Sequence, residues 1–417
     1  CKICMWQKPW GYKEGFAICG GLFLVGTLLQ IVLGKVHLDL LAYPVNLILG
    51  LVYLVLIIAA SLLSRKVYLF RWMSGYQAAV TSMIAVVIIT VIMGLTLQVN
   101  EKVHVTGIAG WLGFHQMLSA WSFSLLLVWF ITLLGMVTLR RIRHFKPRDI
   151  PFILNHMGLF LALTGAILGS VDMQRLKMQT SIGKAEWRAF DEDRKLVELP
   201  LAIELHDFTI DEYPPKLMLI DNETGKVIPE GKAENILVED SVLSGDLEDW
   251  HITIEQRLPS AARVATEDTV KYVEFHSMGA AYALYAKAEN RQTGERQEGW
   301  VSCGSFLFPY KAIRLNEKMS LVMPDREPRR FASRVTVYTR SGRKDSATFE
   351  VNKPYQIEGW KIYQLSYDES KGKWSEISIL EIVKDPWLPL VYTGIWMMIA
   401  GAVCMFTIAG KRKEENV

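Results

Sequence analysis

A chain of 417 residues that is 51% hydrophobic yet 21% charged is too apolar for one ordinary soluble domain and too charged for a membrane bundle alone, so it must be partitioned. A formal net charge of +3 gives no general reason to expect nucleic acid as a partner. The cysteines, Cys1, Cys4, Cys19, Cys303 and Cys404, leave the segment after residue 171 with Cys303 alone, which excludes a disulfide-stapled exported domain.

The chain opens with Cys1-Lys2-Ile3-Cys4, the spacing of a redox, zinc or covalent haem pair. Met5 stands where the haem motif needs His, and no further zinc ligands lie nearby, so thiols without a role are the expectation. Cys1 also invites a lipoprotein reading, but that would invert every loop against the charge rule applied below; a truncated start is the expected reason for the missing Met. Six charge-free apolar stretches follow, near Phe16 to Gly34, Val45 to Ser64, Gln77 to Val99, Met117 to Leu139, Pro151 to Val171 and Pro386 to Gly410. Each is close to the roughly 20 residues a helix needs to cross a hydrocarbon core of about 30 Å. The first is not read as a signal peptide, because no small-residue cleavage site follows it and a second span comes at once.

Direction follows from the basic residues, which are retained on the cytoplasmic side. If the spans alternate, Lys2, Lys8, Lys13, Arg65, Lys66, Arg71, Arg140, Arg141, Arg143, Lys146, Arg148, Lys411, Arg412 and Lys413 fall on one side. The short loops of the other side hold only Lys35 and Lys102. Both termini are therefore expected in the cytoplasm and the segment from about Asp172 to Asp385 outside, as in a bacterial inner membrane protein. Trp72, Trp111 and Trp387 fall at expected interfaces, where an aromatic belt accounts for them.

Between Asp172 and Asp385 the pattern changes to alternation, as in Ala202-Ile203-Glu204-Leu205-His206-Asp207-Phe208 and Arg334-Val335-Thr336-Val337-Tyr338, the mark of half-buried strands. Turn signals at Asp221 to Gly225, Arg291 to Gly294 and Ser341 to Lys344 punctuate them, the last predicting a hairpin. The expectation is six transmembrane α-helices plus a large β-rich extracytoplasmic domain of antiparallel sheets, a sandwich or two packed sheets. Its divisions are 1–76, a first helix pair; 77–171, three further helices; 172–385, the outer domain; and 386–417, the last helix and a basic tail.

Histidine is the residue type most suited to chemistry here. His156 sits inside the fifth span, where ionisable groups are rare and face a partner or a cavity; a neutral imidazole bonded to a carbonyl is the plainer alternative. At about 100° per residue, Gly158, Ala162, Gly165 and Gly169 form a small-residue stripe opposite His156, so helix packing is expected on that face and something else at the imidazole. His115 lies at the outer mouth of the fourth span, and the bilayer separates it from His156, so the two cannot share one iron. Any haem at His156 needs a second ligand from another polypeptide. His144, in a basic loop, is expected to be solvated; His37 and His104 fall in outer loops, and His206, His251 and His276 on the sheet domain without metal-ligand spacing. No Ser-His-Asp arrangement, phosphate loop or nucleotide fingerprint stands in a supporting context.

From the third span onward, over roughly residues 78 to 410, the chain resembles the ResB family, also called CcsB. The resemblance is carried by Trp121-Ser122-Phe123 with Thr138-Leu139-Arg140-Arg141, by His156-Met157-Gly158-Leu159 with Gly165 and Gly169, and by Leu199-Pro200. It continues in Asn352-Lys353-Pro354, Gly359-Trp360-Lys361-Ile362-Tyr363-Gln364, Tyr367-Asp368 and Asp385-Pro386-Trp387-Leu388-Pro389-Leu390-Val391-Tyr392-Thr393-Gly394. It implies a subunit of the system II cytochrome c synthase, a haem lyase complex in which this part is non-catalytic or co-catalytic. That complex carries haem b across the inner membrane and presents it, reduced, to apocytochrome c. The implied partners are a CcsA/ResC-type membrane protein, apocytochrome c, a thiol-reducing protein and the lipid bilayer, with no nucleic acid. The resemblance further implies that His156 is a haem axial ligand shared with a CcsA histidine; apart from the resemblance, His115 stands as a weaker candidate for binding haem. The tryptophan-rich segment of CcsA has no counterpart here, so the chain resembles the ResB half or a piece of a fused protein. Two other classes compete: a haem-bearing quinol-oxidising electron-transfer subunit, which would need paired histidines on facing helices, and a non-catalytic scaffold with a partner-binding outer domain.

Overall fold

The computed structural model describes residues 6–100, 103, 105–231, 234–241, 243–266 and 269–414, without the side chains of 38, 39 and 408–414. Cys1, Cys4 and His104 lie outside the described residues, as do the side chains of Lys411, Arg412 and Lys413. Two compact units emerge, one of residues up to Gln174 together with those from Asp385 on, the other of Arg175–Lys384.

The first unit is helical: α1 (Tyr12–Leu33), α2 (Val45–Leu63), α3 (Tyr68–Met73), α4 (Tyr76–Leu95), α5 (Ile108–Trp111), α6 (Trp121–Arg143), α7 (Ile150–Gly169) and α8 (Leu388–Glu414). Six of these, α1, α2, α4, α6, α7 and α8, contain stretches long and apolar enough to cross a membrane. The protein is a multi-pass membrane protein. Helix ends are set by local polar groups that satisfy the orphan amides and carbonyls of a terminus. Glu14 accepts from the amide of Gly11 at 2.8 Å ahead of α1, and Asp385 accepts from the amides of Trp387 and Leu388, each at 3.0 Å, ahead of α8. Past the end of α4, the Gln98 amide donates to the carbonyls of Met93, Thr96 and Phe114 at 3.2, 3.2 and 2.9 Å, and Val99 then pairs with the His115 carbonyl. The third span therefore stops at Leu95, short of Val99, and the fourth begins at Trp121 and runs on to Arg143.

Helix α6 is the hub. Half of its apolar stretch is buried within the unit, against no more than 28% for any other span, and it touches α1, α2, α4 and α7. Helix α7 packs along α8 on its glycine face, as the helical arithmetic requires. A Cβ on Gly158 would lie 2.5 Å from the Gly394 carbonyl oxygen, one on Gly165 3.2 Å from Leu390, and Gly169 abuts the Trp387 side chain. At the end of α7, Asp172 ties three segments together. Its carboxylate accepts from Asn46 Nδ2 and Trp387 Nε1, both at 2.7 Å, and from the Tyr43 amide at 2.8 Å, while Asn46 also donates to the Leu168 carbonyl at 2.7 Å. Trp72 departs from the belt expectation: it is buried, packed edge-on against Trp10, because the turn through α3 folds it inward.

The second unit is antiparallel β-structure with three sheets, where one sandwich or two packed sheets were expected. The eight-stranded sheet runs in the order Lys344–Glu350, Pro328–Thr339, Leu196–Glu212, Ala185–Phe190, Gln174–Ser181, Ile377–Lys384, Trp360–Tyr367, Tyr355–Ile357. It curls until nearly closed around one core of Leu176, Ile203, Val335, Phe349, Trp360 and Ile382, among others. Alternation sets that inside: Leu199, Leu201, Ile203 and Leu205 are all buried on one strand, and Ile203 and Leu205 lie opposite Val337 and Val335. The hairpin expected at Ser341 to Lys344 is present, with Gly342 at φ 90°, a backbone conformation open to glycine at no steric cost. Two five-stranded sheets, centred on Trp250–Ala265 with Ala281–Asn290 and on Lys216–Asp221 with Met319–Val322, enclose a second core around Trp250.

Candidate functional site

Helix α7 begins where Asp149 accepts from the Lys146 amide at 3.2 Å, with Pro151 in its first turn, a position where a missing amide costs nothing. His156 follows six residues after Ile150, about 9 Å along the axis at the α-helical rise. Its Nδ1 lies 2.9 Å from the Phe152 carbonyl oxygen. A carbonyl only accepts, so Nδ1 carries the proton and Nε2 of the neutral ring keeps its lone pair, the tautomer that suits a metal ligand. The imidazole stacks on the Phe152 ring at 3.7 Å and 20°, and the Arg141 guanidinium lies 4.9 Å over the same Phe152 ring. Arg141 is also 3.8 Å from Asp149.

His156 lines a groove of about 460 Å³. Its lining comes from α4 (Val80, Ser82, Met83), α6 (Phe130, Leu133, Val137), α7 (Asn155, Leu159) and α8 (Met398). Apolar walls with few polar groups are what a flat apolar ligand needs. The imidazole is thus turned away from the glycine face that holds α8, although Met398 of α8 still reaches the rim. Sequence reasoning missed the thioethers of Met83 and Met398, which share this groove and are competent soft ligands. Their signal was weak, since each sits in a different apolar span and only the fold brings them to His156.

The other histidines are elsewhere. His115 is half-buried at the end of α6 remote from His144, and its Nδ1 lies 2.8 Å from the Leu97 carbonyl. The 23 residues of α6 span about 34 Å, so His115 and His156 are at opposite ends of the bundle. His144 is exposed and bonds the Arg140 carbonyl at 3.1 Å. His206 bonds Thr336 at 2.7 Å and His251 bonds Asp246 at 2.6 Å, while His276 is exposed. Among the described residues no group of three or more His, Cys, Asp or Glu could hold a metal ion, and Cys19, Cys303 and Cys404 are free thiols.

The family model described as the ResB-like family matches residues 306–378, all within the β unit. No curated protein matches the chain. The family match supports a role related to cytochrome c biogenesis. The segment 306–378 is similar to the ResB-like family, and it stands in a chain with six membrane-spanning helices.

Proposed function

We propose that the protein is the ResB/CcsB-type subunit of a system II cytochrome c synthase, in which His156 ligates haem b in transit across the inner membrane. The observation that carries this reading is an imidazole in a membrane helix, its Nδ1 fixed by the Phe152 carbonyl at 2.9 Å and its ring lining an apolar groove. Haem is cargo here and supplies an iron with two axial positions. His156 offers one ligand, and Arg141, stacked on Phe152 beside it, offers a positive charge for a propionate. The second ligand comes from a histidine of a CcsA/ResC-type partner, because the groove presents no other imidazole among the described residues. The partner's helix then closes the groove, and the haem passes on to apocytochrome c outside. In this reading the β unit faces outward and both termini the cytoplasm, as the placement of basic residues such as Arg140, Arg141 and Arg143 favours.

The test is His156→Gly in the full chain co-expressed with its CcsA-type partner. The complex should assemble without haem and without cytochrome c maturation, and added imidazole should restore part of both by filling the open coordination position. Normal haem content in the variant would leave His156 as a hydrogen-bonded structural residue. The optical spectrum of the isolated chain separates the competing classes. Stable low-spin haem without the partner, with His156 paired to Met83 or Met398, favours electron transfer, and haem in neither state favours a scaffold.

A further inference from the structure

The β unit carries a second, larger concavity that the haem reading does not use. It is a cleft of about 760 Å³ between strand ends of the curled eight-stranded sheet, at Glu212, Pro328 and Tyr367, and the loops of the five-stranded sheets. The segment matched by the family model, residues 306–378, supplies most of its lining. Six aromatic side chains face it: Tyr282, Phe306, Phe308, Tyr310, Tyr367 and Trp374. Phe306 and Tyr310 stand 39% and 69% exposed on one loop, a concentration of large apolar surface that soluble domains keep for contacts with other chains.

The charges in the cleft are not balanced in their availability. Arg326 is engaged on three sides: it meets Glu212 at 2.8 Å, donates through Nε to the Tyr213 carbonyl at 3.0 Å, and lies 5.4 Å over the Tyr282 ring. Lys371 is 3.3 Å from Glu376, and Lys373 lies 5.2 Å over the Trp374 ring. Asp325 and Glu369 are exposed and have no ionic partner among the described residues. Among the described residues Lys373 has a ring but no carboxylate beside it, so the groups without an ionic partner are two carboxylates against one ammonium. The unpaired surface is aromatic and acidic on balance, which complements lysine or arginine side chains through carboxylates and through ring faces alike.

We propose that this cleft binds a basic polypeptide segment of a partner protein, its cations seated against Asp325 and Glu369 and its apolar side chains on the Phe306 to Tyr310 loop. Cys303 lines the cleft, and burial pushes its thiol pKa up, so it packs there as a neutral side chain.

The test uses the full chain in neutral detergent and two synthetic peptides of about 12 residues, long enough to span a cleft of this size in extended form. One alternates lysine with leucine and tyrosine; in the other every lysine is glutamate. The lysine peptide should bind, more weakly as salt rises, and the glutamate peptide should not. Asp325→Asn combined with Glu369→Gln should weaken the lysine peptide by about fivefold, the size expected of two exposed ion pairs, with the fold of the β unit unchanged by circular dichroism. Tyr310→Ala, at a side chain already in water, should weaken it without changing its salt dependence. Equal binding of both peptides, no binding of the lysine peptide, or full affinity in the double variant would each overturn the proposal. Haem content reports on His156 separately, so neither reading can mask the failure of the other.

Discussion

The helical unit and the β unit keep opposite things inside. In the helical unit many of the large apolar side chains point outward, with Leu24, Leu28 and Val32 63%, 62% and 77% exposed, while Ala78, Thr81, Ser82 and Asn46 are fully or almost fully buried. In the β unit the interior is Trp250, Phe349, Ile203 and Leu219, and the charges lie outside. Lipid is as apolar as leucine, so helices in it gain little by hiding leucine and associate through small residues that permit close approach and through polar groups that find partners. Water makes the opposite demand, and the β unit obeys it. A hydrogen or a carboxylate in one unit thus carries the information that an aromatic ring carries in the other.

The sharpest way to break this comparison is to add bulk where the helical unit has none. In Gly158→Leu a Cβ would sit 2.5 Å from a backbone oxygen of Gly394 and 2.9 Å from Met398, atoms that cannot swing aside, so α7 and α8 must separate. We expect loss of the folded helical unit, at a cost well above the 1–3 kcal/mol of ordinary overpacking, read as disappearance of the monodisperse peak on size exclusion. A well-behaved variant with normal melting would show that the two helices are not held at this glycine.

Trp250→Ala is the matching change in the β unit. Trp250 is fully buried in the core shared by the five-stranded sheets, and removing it should cost about 3–5 kcal/mol. Limited proteolysis should then cut within Arg175–Lys384 while the helical unit survives. Equal protection of the β unit in the variant and the original chain would mean that the core around Trp250 is less tight than its burial indicates. The indole nitrogen of Trp250 has no hydrogen-bond partner, so Trp250→Phe should cost far less than the alanine variant.

An intermediate effect is expected at Asp172, where polar groups hold the helical unit. Asp172→Ala leaves Asn46 and the Trp387 indole each short of an acceptor and should destabilise by about 1–3 kcal/mol. Burial raises the pKa of this carboxyl, but the bonds from Asn46, Tyr43 and Trp387 together outweigh it, and the net shift is downward. A depressed folded pKa contributes stability above the ordinary aspartate value of about 4, and that stability is lost as pH falls through the lower folded value. The difference in melting temperature between the original chain and Asp172→Ala should therefore shrink on acidification below about pH 4. A difference that stayed constant there would assign the effect to packing instead of the carboxylate.

These features differ in how far they could be read from the sequence. The six spans, the alternating strands and the Ser341 to Lys344 hairpin were legible because their causes are local, a run of apolar residues or a period of two. The orientation of His156 against the Gly158 to Gly169 stripe was legible too, since helical arithmetic alone places them on opposite faces. The Asp172 junction was not, because its partners stand 126 and 215 residues away in the chain. Met83 and Met398 look like ordinary lipid-facing residues until α4 and α8 bring them to the same groove as His156. Trp72 was misplaced because an interfacial tryptophan and one folded inward by a short helix share the same local sequence. The third sheet escaped because strands as short as Val227–Ile228 and Ile313–Arg314 leave no periodic trace.

The smallest effect belongs to Cys303, and it sharpens the contrast from the other end. A leucine side chain at Gly158 is expected to undo the helical unit, whereas exchanging the sulfur of Cys303 for oxygen should scarcely register. Its Sγ is half-buried, 3.6 Å from the Gly304 carbonyl and 4.0 Å from that of Tyr282, and the thiol is free. A serine hydroxyl is smaller and can donate to either carbonyl, so Cys303→Ser forfeits no disulfide and gains a bond where it loses a little packing. We expect a change of less than about 1 kcal/mol and an unaltered cytochrome c yield. The same burial keeps the thiol protonated at neutral pH, so alkylation of Cys303 in the intact chain should be slow at pH 7 and quicken steadily as pH rises. Modification at pH 7 as fast as that of a free thiol in solution would mean that a neighbouring group activates Cys303, and it would then be a chemical participant in the cleft and no longer a filler of it.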